Sequence, residues 1–267
     1  MSEPTRTSRA PADKRLTYQQ WKRRKMLRLA RNWVLFLAGC AAVVALLTGG
    51  ILWLLPKVHG LLAGPKVFAA SVYDGTDYVF NGQGERPWEP DDEREPLNVY
   101  GQTKLDGELA VSGTVDKFFI VRIAWVFGKN GKNFIKTMIN LGKTHDTLSV
   151  VNDQIGTPTY TYDLARLLVD MIETEKYGYY HATNEGGYIS WYDFTKEIFR
   201  QAAELGHDEY GEDKVTVLPV TTEEYGVSKA ARPFNSRLDK SKLVENGFTP
   251  LPTWQDALGR YLKEIEF

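Results

Sequence analysis

Lys117–Phe127 reads KFFIVRIAWVF. It is an apolar, β-branched run of strand length, the pattern of a parallel strand buried on both faces. Around it, helix and strand signals alternate. Val99–Val111 before it reads as helix, and Asn133–Gly142 after it is a helix ending on glycine. Leu148–Val151 is a short strand. Thr161–Glu173 is an amphipathic helix with Leu164, Leu167, Leu168 and Met171 on one face. Tyr179–Ala182 reads as strand, and Ser190 to Leu205 opens with a capping box of Ser190 and Asp193. Lys214–Leu218 alternates as a strand. Thr253–Glu264 opens with a second box, Thr253 and Asp256, and buries Trp254, Leu258, Tyr261 and Leu262. Helices alternating with short strands give an α/β class with a mainly parallel sheet.

The chemistry begins upstream, in Gly75–Lys104, GTDYVFNGQGERPWEPDDEREPLNVYGQTK. Tyr100 and Lys104 stand four apart on the predicted helix and share a face. A lysine ammonium beside a phenol favours the phenolate and lowers the tyrosine pKa, so the pair suits proton transfer to a carbonyl oxygen. Spacing alone decides nothing, because Tyr18/Lys22, Tyr192/Lys196, Tyr210/Lys214 and Tyr225/Lys229 repeat it. Context favours Tyr100: Thr76, 24 residues earlier, offers a hydroxyl to the same carbonyl.

This stretch resembles the dTDP-4-dehydrorhamnose reductases, extended short-chain dehydrogenase/reductases. The resemblance continues through FFIVRIAWVFGKNGKNFIKTM, LSVVNDQIGTPTYTYDLARLLVDMIETEKYGYYHATNEG, WYDFTKEIFRQA, RPFNSRLDKSKL and LPTWQDAL. It implies a partial Rossmann-like sheet followed by a substrate-binding portion, over residues 76–267. It also implies that Thr76, Tyr100 and Lys104 are catalytic, with Tyr100 protonating the C4 oxygen and Lys104 binding the nicotinamide ribose. Asp77, Tyr78, Trp125, Gln154, Arg232 and Asn235 would contact substrate. The implied cofactor is NADPH or NADH, with Mg²⁺ as a further possibility but no dedicated ligand cluster. The implied partners are a dTDP-sugar and a second copy in a homodimer.

The chain departs from that pattern in places. Gly75 stands where the family has a small hydroxyl residue, and residues 122–125 read RIAW instead of RTSW. No G-x-G-x-x-G precedes Thr76, so the turn that would cradle a pyrophosphate is not legible. Residues 56–75 read as a junction. The alternatives to a reductase are therefore a membrane-anchored nucleotide-sugar binding module without catalysis, or a non-functional fusion.

The first part of the chain points to a membrane. Trp33–Leu55 carries no charge and would reach ~34 Å as a helix, enough for a ~30 Å hydrocarbon core. Trp33 and Trp53 mark its ends. Residues 1–32 carry +8 and residues 33–267 carry −9. The expectation is a single-pass helix with a basic, cytoplasmic N-terminus. The lone Cys40 excludes a disulfide within one chain, and the four scattered histidines lack ligand spacing. No nucleic-acid motif accompanies the basic run.

Overall fold

The computed structural model describes residues 70–226 and 231–267, together with residues 23, 26 and 27, which are helical and exposed. Strand β1 (Ser71–Thr76) pairs parallel with β2 (Phe118–Ile123), and β2 pairs parallel with β7 (Gly178–His181). β2 is therefore the central strand, and Phe119 to Ile123 are buried without interruption. Helix α1 (Val99–Ser112) crosses between β1 and β2. β1 takes in residues 71–75, which the sequence reading placed in the junction.

The long apolar run is two strands, not one. After Ile123 the chain turns at Trp125, whose φ of 50° lies in the left-handed region. Val126–Phe127 then continues as β3, paired with β6 (Thr159–Tyr160) in a separate sheet. Thr159 pins the break: its hydroxyl donates to the Ala124 carbonyl at 2.6 Å and its N–H to the Trp125 carbonyl at 3.2 Å. A bulky residue in that backbone region costs ~1–3 kcal/mol, which the surrounding packing must offset.

Beyond β3 come α2 (Phe134–Gly142), β4 (Thr147–Val151), β5 (Ile155–Gly156) and α3 (Thr161–Ile172). β8 (Ile189–Ser190) pairs antiparallel with β5 and leads into α4 (Trp191–Glu204). β9 (Thr216–Val220) pairs with β4. It begins two residues later than the alternation suggested, because Lys214 closes a turn onto Gly211. Short α5 (Thr222–Tyr225), β10 (Asn235–Ser236), α6 (Ser241–Glu245) and α7 (Trp254–Leu262) complete the described chain. The Ser190–Asp193 box forms in full. At Thr253 only the hydroxyl caps, accepting from Asp256 N–H, while the Asp256 carboxylate pairs with Arg260.

Three apolar clusters result among the described residues. One joins α2, α4 and α7 with β4 through Ile135, Phe194, Ile198, Leu258 and Tyr261. A second packs α3 and β7 on β2 through Leu164, Leu167, Met171 and Tyr180. The third is small: Val79, Phe80, Leu105, Ala124 and Leu238 lie beneath the start of α1.

The expected single-pass membrane location does not stand. Among the described residues no helix is long and apolar enough to cross a membrane. The longest have 14 residues, about 21 Å at 1.5 Å per residue, against a core of about 30 Å. The span 33–55 itself lies outside the described residues.

Candidate active site

Thr76 ends β1 and caps the short 3₁₀ turn Asp77–Val79. Asn98 caps α1: its Oδ1 accepts from Gly101 N–H at 2.8 Å, and its Nδ2 donates to the Ala231 carbonyl at 2.8 Å. These two caps bring Thr76, Asp77, Tyr78, Tyr100 and Lys104 to one cavity of about 1050 Å³, which Trp125, Phe134 and Trp191 also line. Gly101 makes the approach possible, since a Cβ there would lie 2.2 Å from the Tyr78 carbonyl oxygen.

Tyr100 is half exposed at the cavity and meets the edge of Tyr78, centroids 5.4 Å apart. Burial raises its pKa, a hydrogen bond with Thr76 pulls it down, and the Asp77 and Asp74 carboxylates raise it further. The lowering by Lys104 expected from spacing is not what governs this phenol. The Lys104 ammonium donates to the Asp74 carbonyl at 3.0 Å and faces the Tyr73 ring. A phenol is protonated at neutral pH in any case, the state a proton donor needs. Asp77 is buried and accepts from the Thr76 hydroxyl at 3.1 Å. Burial lifts its carboxyl to about 6, against the pull of the Ser236 and Thr76 hydroxyls. Its Oδ2 has no hydrogen-bond partner.

The remaining expected contacts divide. Arg232 lines this cavity and a second one of about 510 Å³, which Gln154 lines with Thr222 and Tyr225. Asn235 is not brought to either. Its Nδ2 donates to the Arg86 and Gln83 carbonyls and its Oδ1 accepts from Arg237, so it clamps the loop after Phe80 instead. Of the other tyrosine–lysine pairs, Tyr210 is buried and donates to the Ile139 carbonyl. Tyr192 and Lys196 lie at a separate surface depression.

The sequence reading missed three features. Trp191 stacks flat on Trp125. Asn98 ties α1 to the Ala231 segment, and an asparagine just before a helix was the signal for it. Beneath the site, buried Arg122 makes a bidentate pair with Glu108 of α1, at 2.9 and 2.8 Å. Arg122 also donates to the Pro90 carbonyl at 2.8 Å and lies 3.4 Å from His181 Nε2. The pair explains Gly75: a Cβ there would lie 2.8 Å from Arg122 Cγ and 2.9 Å from Glu108 Oε1. Among the described residues no group of three or more His, Cys, Asp or Glu could hold a metal ion.

The RmlD substrate binding domain family matches residues 65–267. The chain belongs to this family, that of the dTDP-4-dehydrorhamnose reductases. It is 39% identical over 203 residues to the spore coat polysaccharide biosynthesis protein SpsK of Bacillus subtilis, covering 76% of this chain and 67% of that protein. The dTDP-4-dehydrorhamnose reductase of Escherichia coli K12 is 38% identical over 208 residues, 76% of this chain and 68% of that enzyme. Among solved structures, the Bacillus anthracis dTDP-4-dehydrorhamnose reductase in complex with NADP is 44% identical, with a TM-score of 0.65, covering 73% of this chain and 65% of that one. The chain thus spans about two thirds of the length of these reductases. Their α/β Rossmann-like fold is the fold of the described domain.

Proposed function

We propose that residues 76–267 are the catalytic and substrate-binding portion of a dTDP-4-dehydrorhamnose reductase. The reaction is reduction of the C4 keto group of dTDP-4-dehydro-β-L-rhamnose to dTDP-L-rhamnose. The observation that carries this reading is the convergence of Thr76, Tyr100 and Lys104, from a strand end and a helix start, on a cavity walled by Trp125. NADPH, when bound, supplies the hydride. Tyr100 and Lys104 fit its nicotinamide-ribose end, with the Lys104 ammonium held in place by the Asp74 carbonyl. Residues to hold the pyrophosphate are not among those described.

In this reading Tyr100 donates its phenolic proton to the C4 oxygen as charge develops there. To share that oxygen the Thr76 hydroxyl turns its one proton away from the Asp77 carboxylate. Asp77, with one buried oxygen unsatisfied, calls for a donor, and a sugar hydroxyl in the cavity supplies one. Tyr78 and Arg232 flank the same space, and the Trp125 face suits the apolar face of a deoxysugar.

The test follows NADPH consumption by the full chain with dTDP-4-dehydro-β-L-rhamnose. Turnover is expected, and Tyr100→Phe should slow it by ~10²–10⁴-fold, the usual contribution of a general acid. No turnover, or turnover indifferent to Tyr100→Phe, would overturn the proposal.

A further inference from the structure

Trp125 stands in a backbone conformation that few large residues adopt, and its indole forms one wall of the reacting cavity. What holds that indole comes from elsewhere in the chain. Gly156 of β5 approaches so closely that a Cβ would lie 2.9 Å from Trp125 Cε2. β5 pairs with β8, and β8 leads directly into Trp191, the first residue of α4. The Trp191 indole lies on Trp125 with centroids 3.6 Å apart and planes within 14°.

Trp191 is itself fixed on several sides. The Ser190–Asp193 capping box sets its backbone, and the Thr195 hydroxyl donates to its carbonyl at 2.8 Å. Its Nε1 donates to Gln154 Oε1 at 3.3 Å. Gln154 Nε2 donates to the Thr222 hydroxyl at 3.0 Å, and Thr222 donates through both hydroxyl and N–H to the Asp153 carboxylate. Phe134 packs beside it, centroids 4.4 Å apart. The chain of contacts thus runs from a rigid helix start to a strained residue at the cavity, with Trp191 as the only aromatic ring that stacks face to face on Trp125 among the described residues.

We propose that Trp191 is a positioning residue for the site: stacked on Trp125, whose left-handed turn Thr159 pins, it holds the Trp125 indole in place as a wall of the reacting cavity. The functional half of this proposal rests on reading that cavity as the sugar site. Trp191 lines the same cavity, so a direct contact with the sugar would survive the loss of Trp125, whereas an effect exerted through Trp125 vanishes with it. Two closely stacked indoles also couple their electronic transitions, which gives a paired positive and negative band in far-UV circular dichroism when their transition dipoles are rotated against each other.

The experiment uses the full chain as wild type, Trp125→Ala, Trp191→Ala, the double variant and Trp191→Phe. Binding of dTDP-L-rhamnose is measured by calorimetry and the coupled band by circular dichroism. With Trp125 present, Trp191→Ala should weaken binding about tenfold, and in the Trp125→Ala background by less than about twofold. Trp191→Phe, which keeps a ring in the stack, should restore binding to within about threefold of wild type. The coupled band should disappear from both single alanine variants and change no further in the double. Equal losses of binding in the two backgrounds would overturn the proposal. If the wild type fails to bind dTDP-L-rhamnose, the reading of the cavity falls, and the functional half of the proposal with it.

Discussion

Helices α1 and α4 both have 14 residues and both supply the cavity, yet they are held by different forces. α4 buries Phe194, Thr195, Ile198, Phe199 and Ala202 in the largest apolar cluster. α1 buries Gly101, Leu105 and Glu108, while Val99 and Leu109 stay exposed among the described residues. Isolated helices of this length are marginal, and packing of an apolar face normally supplies their stability. For α4 that face exists. For α1 much of the work falls to one buried ion pair, Glu108–Arg122, and to the Asn98 cap. The difference teaches that the proton-donating wall and the aromatic wall of one site have separate supports. The first rests on a polar staple and the second on a core.

The comparison can be broken most directly at the staple. Glu108→Gln leaves the Arg122 charge buried and unpaired, which should cost ~3–5 kcal/mol in urea unfolding. Replacing both partners with apolar residues, Glu108→Leu with Arg122→Met, should recover most of that loss, because the desolvation of two charges disappears as well. If Glu108→Gln unfolded at the wild-type urea concentration, the claimed dependence of α1 on the pair would be wrong. On the other wall, Leu258→Ala opens a cavity in the α4–α7 core and should cost ~2–5 kcal/mol. That loss should leave the exchange of α1 amides close to wild type at low denaturant, whereas Glu108→Gln should speed it. Equal acceleration in both variants would show that the two walls unfold as one.

Acid should separate the walls further. His181 lies against Arg122, and burial, helped by that guanidinium, holds its pKa at about 3 against 6.5 unfolded. Between those values the unfolded chain binds a proton that the folded chain refuses. Stability from this residue is therefore fully present above pH 6.5 and is lost as pH falls toward 3. Asp77 works in the opposite sense: its folded pKa of about 6 exceeds the unfolded 3.8, so its contribution is present below 3.8 and lost as pH rises to 6. His181→Gln should remove a slope of up to ~1.4 kcal/mol per pH unit from the acid limb. An unchanged limb between pH 6 and 4 would assign the acid sensitivity elsewhere. The smallest expected effect is Asn98→Ala, about 1 kcal/mol for a lost N-cap. It should appear as faster exchange in the first turn of α1, where Tyr100 sits, and a change confined to the last turn would count against that role.

Much of this was legible in the chain. β2 announced itself as a buried parallel strand because every residue from Phe119 to Ile123 is apolar except Arg122, and that exception is the residue whose charge the fold must pair. The capping box at Ser190, the amphipathic face of α3 and the cap of α7 are local patterns, so local reading found them. Asn235 misled, because its place in the RPFNSR run does not say which way its amide points, and the loop carbonyls it clamps are about 150 residues away in sequence.

The sequence by itself determined the α/β class, the central strand, the helix starts and the pairing of Tyr100 with Lys104 on one helical face. These depend on periodicities of two and 3.6 residues and on caps a few residues long, which act within a single element. Only the tertiary structure decided the break at Trp125, the stack with Trp191, the bond from Lys104 to the Asp74 carbonyl and the pairing of Glu108 with Arg122. Each of these joins atoms from different elements, and its sign is set by what burial leaves as the nearest partner. Thus the phenol of Tyr100 is raised by burial, whereas spacing alone gave it a lowering neighbour.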